Sequence, residues 1–370
     1  MDRINVNLKE KSYSIVVGSG FLDQLGFLLA QKQFGKEVFV ITDAKVRELH
    51  GEALLSGLSS LDPKIIEIPR GEQFKNVAEA MKIIDKLVDF SAHRDSVLIA
   101  FGGGVIGDIA GFVAATYMRG INYIQVPTTL LAQVDASIGG KTGVNHPKGK
   151  NLIGAFYQPK LVYIDIKTLT TLPERELQTG LAEVVKYGVI ADADFFKFLE
   201  ANAHHLNTNA FKAPDTLRAA LKVWQTIVKE SAQVKAKVVE KDEKEAVYRM
   251  ILNFGHTIGH ALETNTGYQT YNHGEAVAVG MVAAAKISSE LNMLDQNAVE
   301  RITELLQKLC LPTKIEKVSC SDVLTAIGLD KKVREGKLHF VLPDKIGHVV
   351  IKDDVPREVI EKVLERMGCQ

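Results

Sequence analysis

Three histidines lie in one short stretch with spacing that suits a metal. Residues 253–275, NFGHTIGHALETNTGYQTYNHGE, hold His256, His260 and His273. His256 and His260 are four apart, so on a helix they share one face, a turn apart. His273 follows a polar loop rich in Thr, Asn, Tyr and Gly. Two neutral imidazoles and one carboxylate make a three-ligand set for a catalytic zinc that keeps a position open. HTIGH lacks the glutamate that follows the first histidine of a zinc-protease helix, so the carboxylate comes from elsewhere. Glu263, three residues after His260, is one source. Glu183, in GLAEVVKYG, is another. Lys186 stands three residues after Glu183 in an apolar setting, so this pair is expected to be buried. A buried acid and base need each other or a metal.

A second group of residues suits a phosphate. Gly102, Gly104 and Gly107 in FGGGVIGD match GxGxxG between a strand and a helix. Such glycines let backbone N–H groups approach a pyrophosphate at the positive end of a helix. The motif sits well past the first strands, so a ribose-binding acid comes earlier in the chain. Asp43, closing VFVITD, fits that role; it also reads as a helix N-cap, and both can hold. GEQFKN, residues 71–76, brings Glu72 and Lys75 to the start of the next helix, where charge by itself means only a solvated surface. Residues 126–158 are a Gly-rich stretch among Thr, Asn and Lys, and read as a long functional loop. Lys141, Lys148 and Lys150 there suit a phosphate. GxxxxGK[ST] does not fit, so this is not a Walker loop. Lys235 and Arg249 bracket the approach to the histidines, and Lys331 and Lys332 sit in GLDKKV. Each alone reads as a solvated base.

The elements that position these groups follow from periodicity. Residues 4–8 and 13–17 read as a hairpin or two edge strands. Strands at 38–43, 64–68, 97–101, 123–126 and 161–164 alternate with helices at 21–31, 44–58, 74–90 and 111–117. The helix at 74–90 groups Val77, Met81, Ile84, Leu87 and Val88 on one face. This alternation predicts a mainly parallel sheet with helices on both faces. After residue 174 the strand signals fade. Helices are expected at 174–189, 194–200, 217–240, 256–264, 275–292 and 298–309, with Pro173 and Pro214 marking starts. A hairpin pairing 338–342 with 348–351 and a helix at 356–367 end the chain. Two domains are expected, 1–170 and 171–370: an α/β first domain with a Rossmann-like sheet, and a mostly α-helical second domain that carries the candidate metal ligands.

Composition narrows the function classes. The chain has 370 residues, 46% hydrophobic and 24% charged, with 45 basic and 45 acidic side chains. That balance gives no pull toward nucleic acid or a membrane surface, so anions must be met by local clusters. Cys310, Cys320 and Cys369 have no CxxC spacing, which suits a reducing cytoplasm rather than a disulfide framework. MDRINVNLKE has no apolar signal core, so export is not expected. The longest apolar helical run, 276–287, is too short to span a bilayer and is interrupted by Gly280.

Taken together, the segments GEQFKN, FGGGVIGD, VPTTLLAQVDASIGGKTGVN, GKNLIGAFYQP, ELQTGLAEVVKYG, NFGHTIGHALE, NHGEAVAVGM and DKK resemble the 3-dehydroquinate synthases, sugar-phosphate cyclases of the shikimate pathway. The resemblance covers nearly the whole chain, in order. It implies a zinc ion, or cobalt, on Glu183, His256 and His273, with His260 hydrogen-bonding rather than ligating and Glu263 set aside. It implies NAD on Asp43, Glu72, Lys75, Gly103, Gly104, Val105, Asp108, Thr128, Thr129, Asp135, Lys141, Lys150 and the turn Thr168, Leu169, Thr170 and Thr171. The implied substrate is 3-deoxy-D-arabino-heptulosonate 7-phosphate, held in a cleft between the domains. Its carboxylate would meet Lys235 and Arg249. Its phosphate would meet Lys141, Asn151, Asn253, His260 and either Lys331 or Lys332. Lys186 would sit near the reacting carbons, and Arg119 would reach in from the partner subunit of a homodimer.

The implied reaction runs by transient oxidation, β-elimination of phosphate, re-reduction, ring opening and an intramolecular aldol closure. Two other enzyme readings stay open, one sharing the core residues and one the two-domain plan. A sibling cyclase would act on another sugar phosphate, giving a deoxy-inosose or valienone-type product. A metal-dependent NAD polyol dehydrogenase would accumulate reduced cofactor. A non-catalytic scaffold has no use for a buried acid beside three histidines.

Overall fold

A computed structural model of the chain describes residues 1–35, 37–212, 214–267, 270–329 and 339–370. It divides into two compact units. One is Met1–Pro173 with Trp224–Lys244, and the other is Glu174–Val223 with Glu245–Gln370.

The first unit is built on a seven-stranded sheet among the described residues, in the order β1-β2-β9-β6-β5-β3-β4. The strands are β1 (Asp2–Val6), β2 (Tyr13–Gly18), β3 (Val38–Thr42), β4 (Lys64–Glu67), β5 (Val97–Gly102), β6 (Asn122–Pro127) and, later in the chain, β9 (Leu161–Asp165). β1 pairs antiparallel with β2 and every other pairing is parallel. The strands read as continuous apolar runs because both faces are covered. Period-two alternation sends Val38, Val40, Val97, Ile99 and Phe101 to one face. Phe39, Ile41, Leu98 and Ala100 go to the other. Helices α1 (Leu25–Lys32) and α2 (Ala44–Leu58) cover the first face, and α3 (Val77–Asp89) and α4 (Gly104–Thr116) the second.

Three expectations change. The face α3 buries carries Ala80, Ile83 and Leu87, while Val77, Met81 and Val88 are exposed. The covering helix of the glycine motif starts at Gly104, so FGGGVIGD is mostly helix rather than loop. The stretch 126–158 contains a hairpin, β7 (Lys141–His146) with β8 (Gly149–Phe156). Glycine permits this close pairing: a Cβ on Gly154 would lie 2.2 Å from the Thr142 carbonyl oxygen.

The second unit is helical, with α5 (Glu174–Ala191), α6 (Ala193–Asn202), α8 (His256–Asn265), α9 (His273–Glu290), α10 (Gln296–Lys308), α11 (Cys320–Leu329) and α12 (Arg357–Arg366), plus a hairpin of β10 (Phe340–Lys345) and β11 (His348–Lys352). Residue 338, expected in that hairpin, lies outside the described residues. Between them in the chain runs α7 (Pro214–Lys241), whose two ends fall in different units. From Trp224 onward α7 clusters with the first unit, because Gln225 bonds Asp2, Glu240 bonds Asn7 and Lys235 bonds Asp135. Lys235 therefore belongs to the sheet unit, not to the helical one.

Candidate active site

Three helices of the second unit converge on one group of ligating atoms. α5 begins right after Pro173 and carries Glu183 and Lys186 a turn apart, 1% and 2% exposed. α8 starts after Gly255, whose φ of 78° is a left-handed value that glycine adopts without strain. It presents His256 and His260, ring centroids 5.3 Å apart. α9 opens with a capping box, Asn272 with Glu275, which sets His273 at its first turn. Glu183, His256 and His273 bring ligating atoms within 4.8 Å of one another, and so do His260, Glu263 and His273.

The bonds around His273 discriminate between these overlapping sets. Its Nε2 stands 3.5 Å from Glu183 Oε1, and its Nδ1 3.5 Å from Glu263 Oε2. His256 Nε2 is 3.5 Å from the same Glu183 oxygen, while its Nδ1 donates to the Phe254 carbonyl at 3.1 Å. An ion among Glu183 and the two Nε2 atoms would leave each Nδ1–H on an oxygen, the usual way a ligating imidazole is oriented. The field suits a cation as well. Burial opposes protonation of His273, yet hydrogen bonds and charge from Glu183 and Glu263 carry its pKa up to about 10. Two carboxylates face His273, so the field there favours positive charge and the donor set fits a divalent metal. Lys186 Nζ also pairs with Glu183.

In the first unit, Asp43 and the glycines expected to meet a nucleotide lie where the sheet changes direction. From β3 the chain steps outward to β4, then returns to β5 on the other side of β3. The carboxyl ends of β3 and β5 flank this switch point, where open α/β sheets bind ligands. Asp43 follows β3 and Gly103 follows β5. Asp43 caps α2 through Oδ1, which accepts from the Lys45 and Val46 N–H groups at 2.9 and 3.0 Å. Gly103 caps α4 without a side chain. Gly102 and Gly107 are packing glycines, since a Cβ would lie 2.6 Å from Ile106 Cγ1 and 2.7 Å from Gln125 Oε1. Gly104, Val105 and Asp108 follow in the first turns of α4. The bare helix start and the acid at the switch point fit a dinucleotide.

Around that start, Lys75 is 4% exposed, pairs with Asp108 and donates to Asn151 Oδ1 at 2.6 Å. Burial pushes the Asp108 carboxyl up by more than Lys75 draws it down. Glu72 accepts from Asn145 Nδ2 at 2.7 Å. Thr128 is buried, and the Thr129 hydroxyl accepts from the Ala132 N–H at 3.2 Å. Asp135 lies in a π-helical turn, Ala132–Ala136, and bonds Lys235 Nζ at 2.6 Å. Thr168, Leu169, Thr170 and Thr171 form a 3₁₀ turn, Ile166–Thr171. Sequence reasoning passed over two of its supports: Gln133, which donates to the Thr168 hydroxyl at 3.0 Å, and His50, 2.8 Å from that of Thr171. Gln133 stands in the VPTTLLAQVD segment without a polar partner in sequence and His50 stands outside every quoted segment, so only the folded chain brings them to the turn.

The remaining predicted cations sit as follows. Lys141 and Lys150 are exposed on the β7–β8 hairpin. Arg119 is exposed on a turn in which Met118, Arg119 and Gly120 all have positive φ. Arg249, 1% exposed, and Asn253 share a 3₁₀ turn, Tyr248–Asn253, ahead of α8 in the second unit. Lys331 and Lys332 lie outside the described residues.

Residues 65–179 match the family model of the 3-dehydroquinate synthase N-terminal region, and residues 180–333 that of the C-terminal region. The chain is 48% identical to a 3-dehydroquinate synthase of Thermodesulfovibrio yellowstonii, over 98% of this chain and 99% of that one. Among solved structures it resembles 2-epi-5-epi-valiolone synthase of Streptomyces hygroscopicus subsp. jinggangensis with NAD+ and Zn2+ bound (TM-score 0.85, 30% identity, 98% of each chain). It also resembles a 2-deoxy-scyllo-inosose synthase complexed with carbaglucose-6-phosphate, NAD+ and Co2+ (TM-score 0.83, 26% identity, 99% of this chain and all of that one).

Proposed function

This chain belongs to the 3-dehydroquinate synthase family, and on that premise we propose how its residues divide the family's reaction. The activity is closure of 3-deoxy-D-arabino-heptulosonate 7-phosphate to 3-dehydroquinate with release of phosphate, a carbon–oxygen lyase reaction with NAD and a divalent metal, Zn2+ or Co2+, as cofactors. The reading is carried by the Glu183, His256 and His273 group, assembled in a chain 48% identical end to end with a 3-dehydroquinate synthase.

When bound, the metal lowers the proton cost of ionising a substrate hydroxyl, and nicotinamide holds a hydride for part of the cycle. Glu183, His256 and His273 hold the ion, with Glu263 and the Phe254 carbonyl orienting the imidazoles. Once Glu183 is engaged, Lys186 can turn its ammonium to the substrate. Arg249 and Lys235 meet the carboxylate, Lys235 being kept in place by Asp135. Lys141, Asn151, Asn253, His260 and one lysine of DKK meet the phosphate. Asp43, Glu72, Lys75, Gly103, Gly104, Val105, Asp108, Thr128, Thr129, Asp135, Lys150 and the 168–171 turn hold NAD. Arg119 acts across a homodimer, a reading supported by its exposure on a left-handed turn. The enzyme works in the cytoplasm, in keeping with cysteines that form no disulfide.

The test is to incubate the pure protein with heptulosonate phosphate, catalytic NAD+ and Zn2+. Phosphate release without build-up of NADH is expected. NADH accumulating without phosphate would point to a polyol dehydrogenase. Turnover of another sugar phosphate in place of this one would point to a sibling cyclase, the reading the structural neighbours favour.

A further inference from the structure

The β7–β8 ladder breaks register near its turn, one residue of β7 standing opposite three of β8. Lys141 pairs with Phe156, and the register runs in step to Val144 with Ile153, then jumps to His146 with Gly149. Asn145 is left unpaired opposite Lys150, Asn151 and Leu152, so the bulged strand is β8, and a bulge of this kind re-aims the side chains around it. The freed Asn145 backbone N–H donates to the Lys75 carbonyl at 2.8 Å, within an isolated bridge to Asn76. Its side chain does two things at once. Nδ2 donates to Glu72 Oε1 at 2.7 Å, and Oδ1 accepts from the Asn151 N–H at 2.9 Å. These partners determine which end of the amide is which, since a carboxylate requires a donor and an N–H requires an acceptor. Asn151 itself stands at φ 54°, a left-handed value, and its Oδ1 accepts from Lys75 Nζ at 2.6 Å.

We propose that Asn145 is a positioning residue that ties the 71–76 turn to the start of β8, so that Lys75 and Asn151 are set for cofactor and substrate by one clamp. The inference rests on the roles proposed above for Glu72, Lys75 and Asn151. Alanine offers neither bond. Aspartate keeps the acceptor toward Asn151 but sets a second carboxylate against Glu72. Pairing it with Glu72→Gln restores a donor and reverses the bond.

The test uses the full-length, zinc-loaded protein. NAD+ affinity is measured by calorimetry, steady-state constants with heptulosonate phosphate, and stability by thermal unfolding. Asn145→Ala should weaken NAD+ binding and raise KM about tenfold each, as expected for a misplaced contact, with kcat and the melting temperature little changed. Glu72→Gln/Asn145→Asp should bind NAD+ several-fold more tightly than the product of the two single effects allows. Unchanged NAD+ affinity and KM in Asn145→Ala, losses that follow a fall in melting temperature, or a cycle that is simply additive would each overturn the inference. Wild-type protein that binds no NAD+ would instead overturn the functional reading beneath it.

Discussion

Gly274→Ala tests whether helix packing sets the metal geometry. Glu183, His256 and His273 come from α5, α8 and α9, so the ligand set is only as well defined as the spacing of these helices. Gly274 follows His273 and lies against Thr179, one turn before Glu183. A Cβ there would sit 2.4 Å from both Thr179 Cα and its carbonyl oxygen, against 3.4 Å at the near edge of ordinary contact. The opposing atoms are backbone, so no side chain can swing aside. Relief requires the start of α9 to move off α5 by about 1 Å, and overpacking of this kind costs roughly 1–3 kcal/mol. His273 Nε2 and Glu183 Oε1 stand 3.5 Å apart now. Zinc bonds to nitrogen and oxygen are about 2 Å long and tolerate only about 0.2 Å, so a shift of about 1 Å exceeds what the site can absorb. Zinc affinity, measured by competition with a chelating dye, should fall about tenfold or more. NAD+ affinity should be unchanged, and the melting temperature lower by a few degrees per kcal/mol. Wild-type zinc affinity alongside a lowered melting temperature would mean that the helices relax elsewhere, and the reasoning would be wrong.

Other perturbations separate roles that coincide at single residues. Glu183→Gln should abolish metal binding and strand the buried Lys186 ammonium, a destabilisation of about 3–5 kcal/mol; Glu183→Gln/Lys186→Met should recover the melting temperature but not the metal, and metal retained in either variant argues against Glu183 as ligand. Asp43→Ala should lose a helix cap, about 1 kcal/mol, together with NAD+ affinity, whereas Asp43→Ser should restore the cap alone; full NAD+ affinity in the serine variant would remove the ribose role. Burial would raise the Glu275 carboxyl, but Arg175 and the Asn272 N–H bring it below its ordinary value. A lowered folded pKa gives stability that is present above the unfolded pKa and lost as pH falls through the folded one. Glu275→Gln should therefore lower the melting temperature at neutral pH, with the gap closing in acid; a gap independent of pH would assign the effect to packing.

Much of the site could be read in the chain. The HTIGH helix, the acid and lysine of GLAEVVKYG and the glycines after VLIAF each have local patterns, and local patterns survive as spacing on one element. The misreadings share a cause. Residues 126–158 read as loop because Gly143 and Gly154 hide strand propensity, yet they make the close pairing possible. Val77, Met81 and Val88 share a helix face, but which face meets the sheet depends on α3's neighbours, and the smaller Ala80 and Ile83 face was buried.

By itself, the sequence determined the kinds of chemistry available: an HxxxH pair with acids in reserve, a glycine turn for phosphate and lysines in a Gly-rich stretch suited to an anion. Those depend on residue type and short-range spacing. Only the tertiary structure decided which acid faces His273 Nε2 and which its Nδ1, that α7 returns Lys235 to Asp135 in the sheet unit, and that Asn145 leaves its ladder for Glu72 and Asn151. Each of those rests on contacts between residues distant in the chain or out of register, where packing rather than local preference sets the geometry.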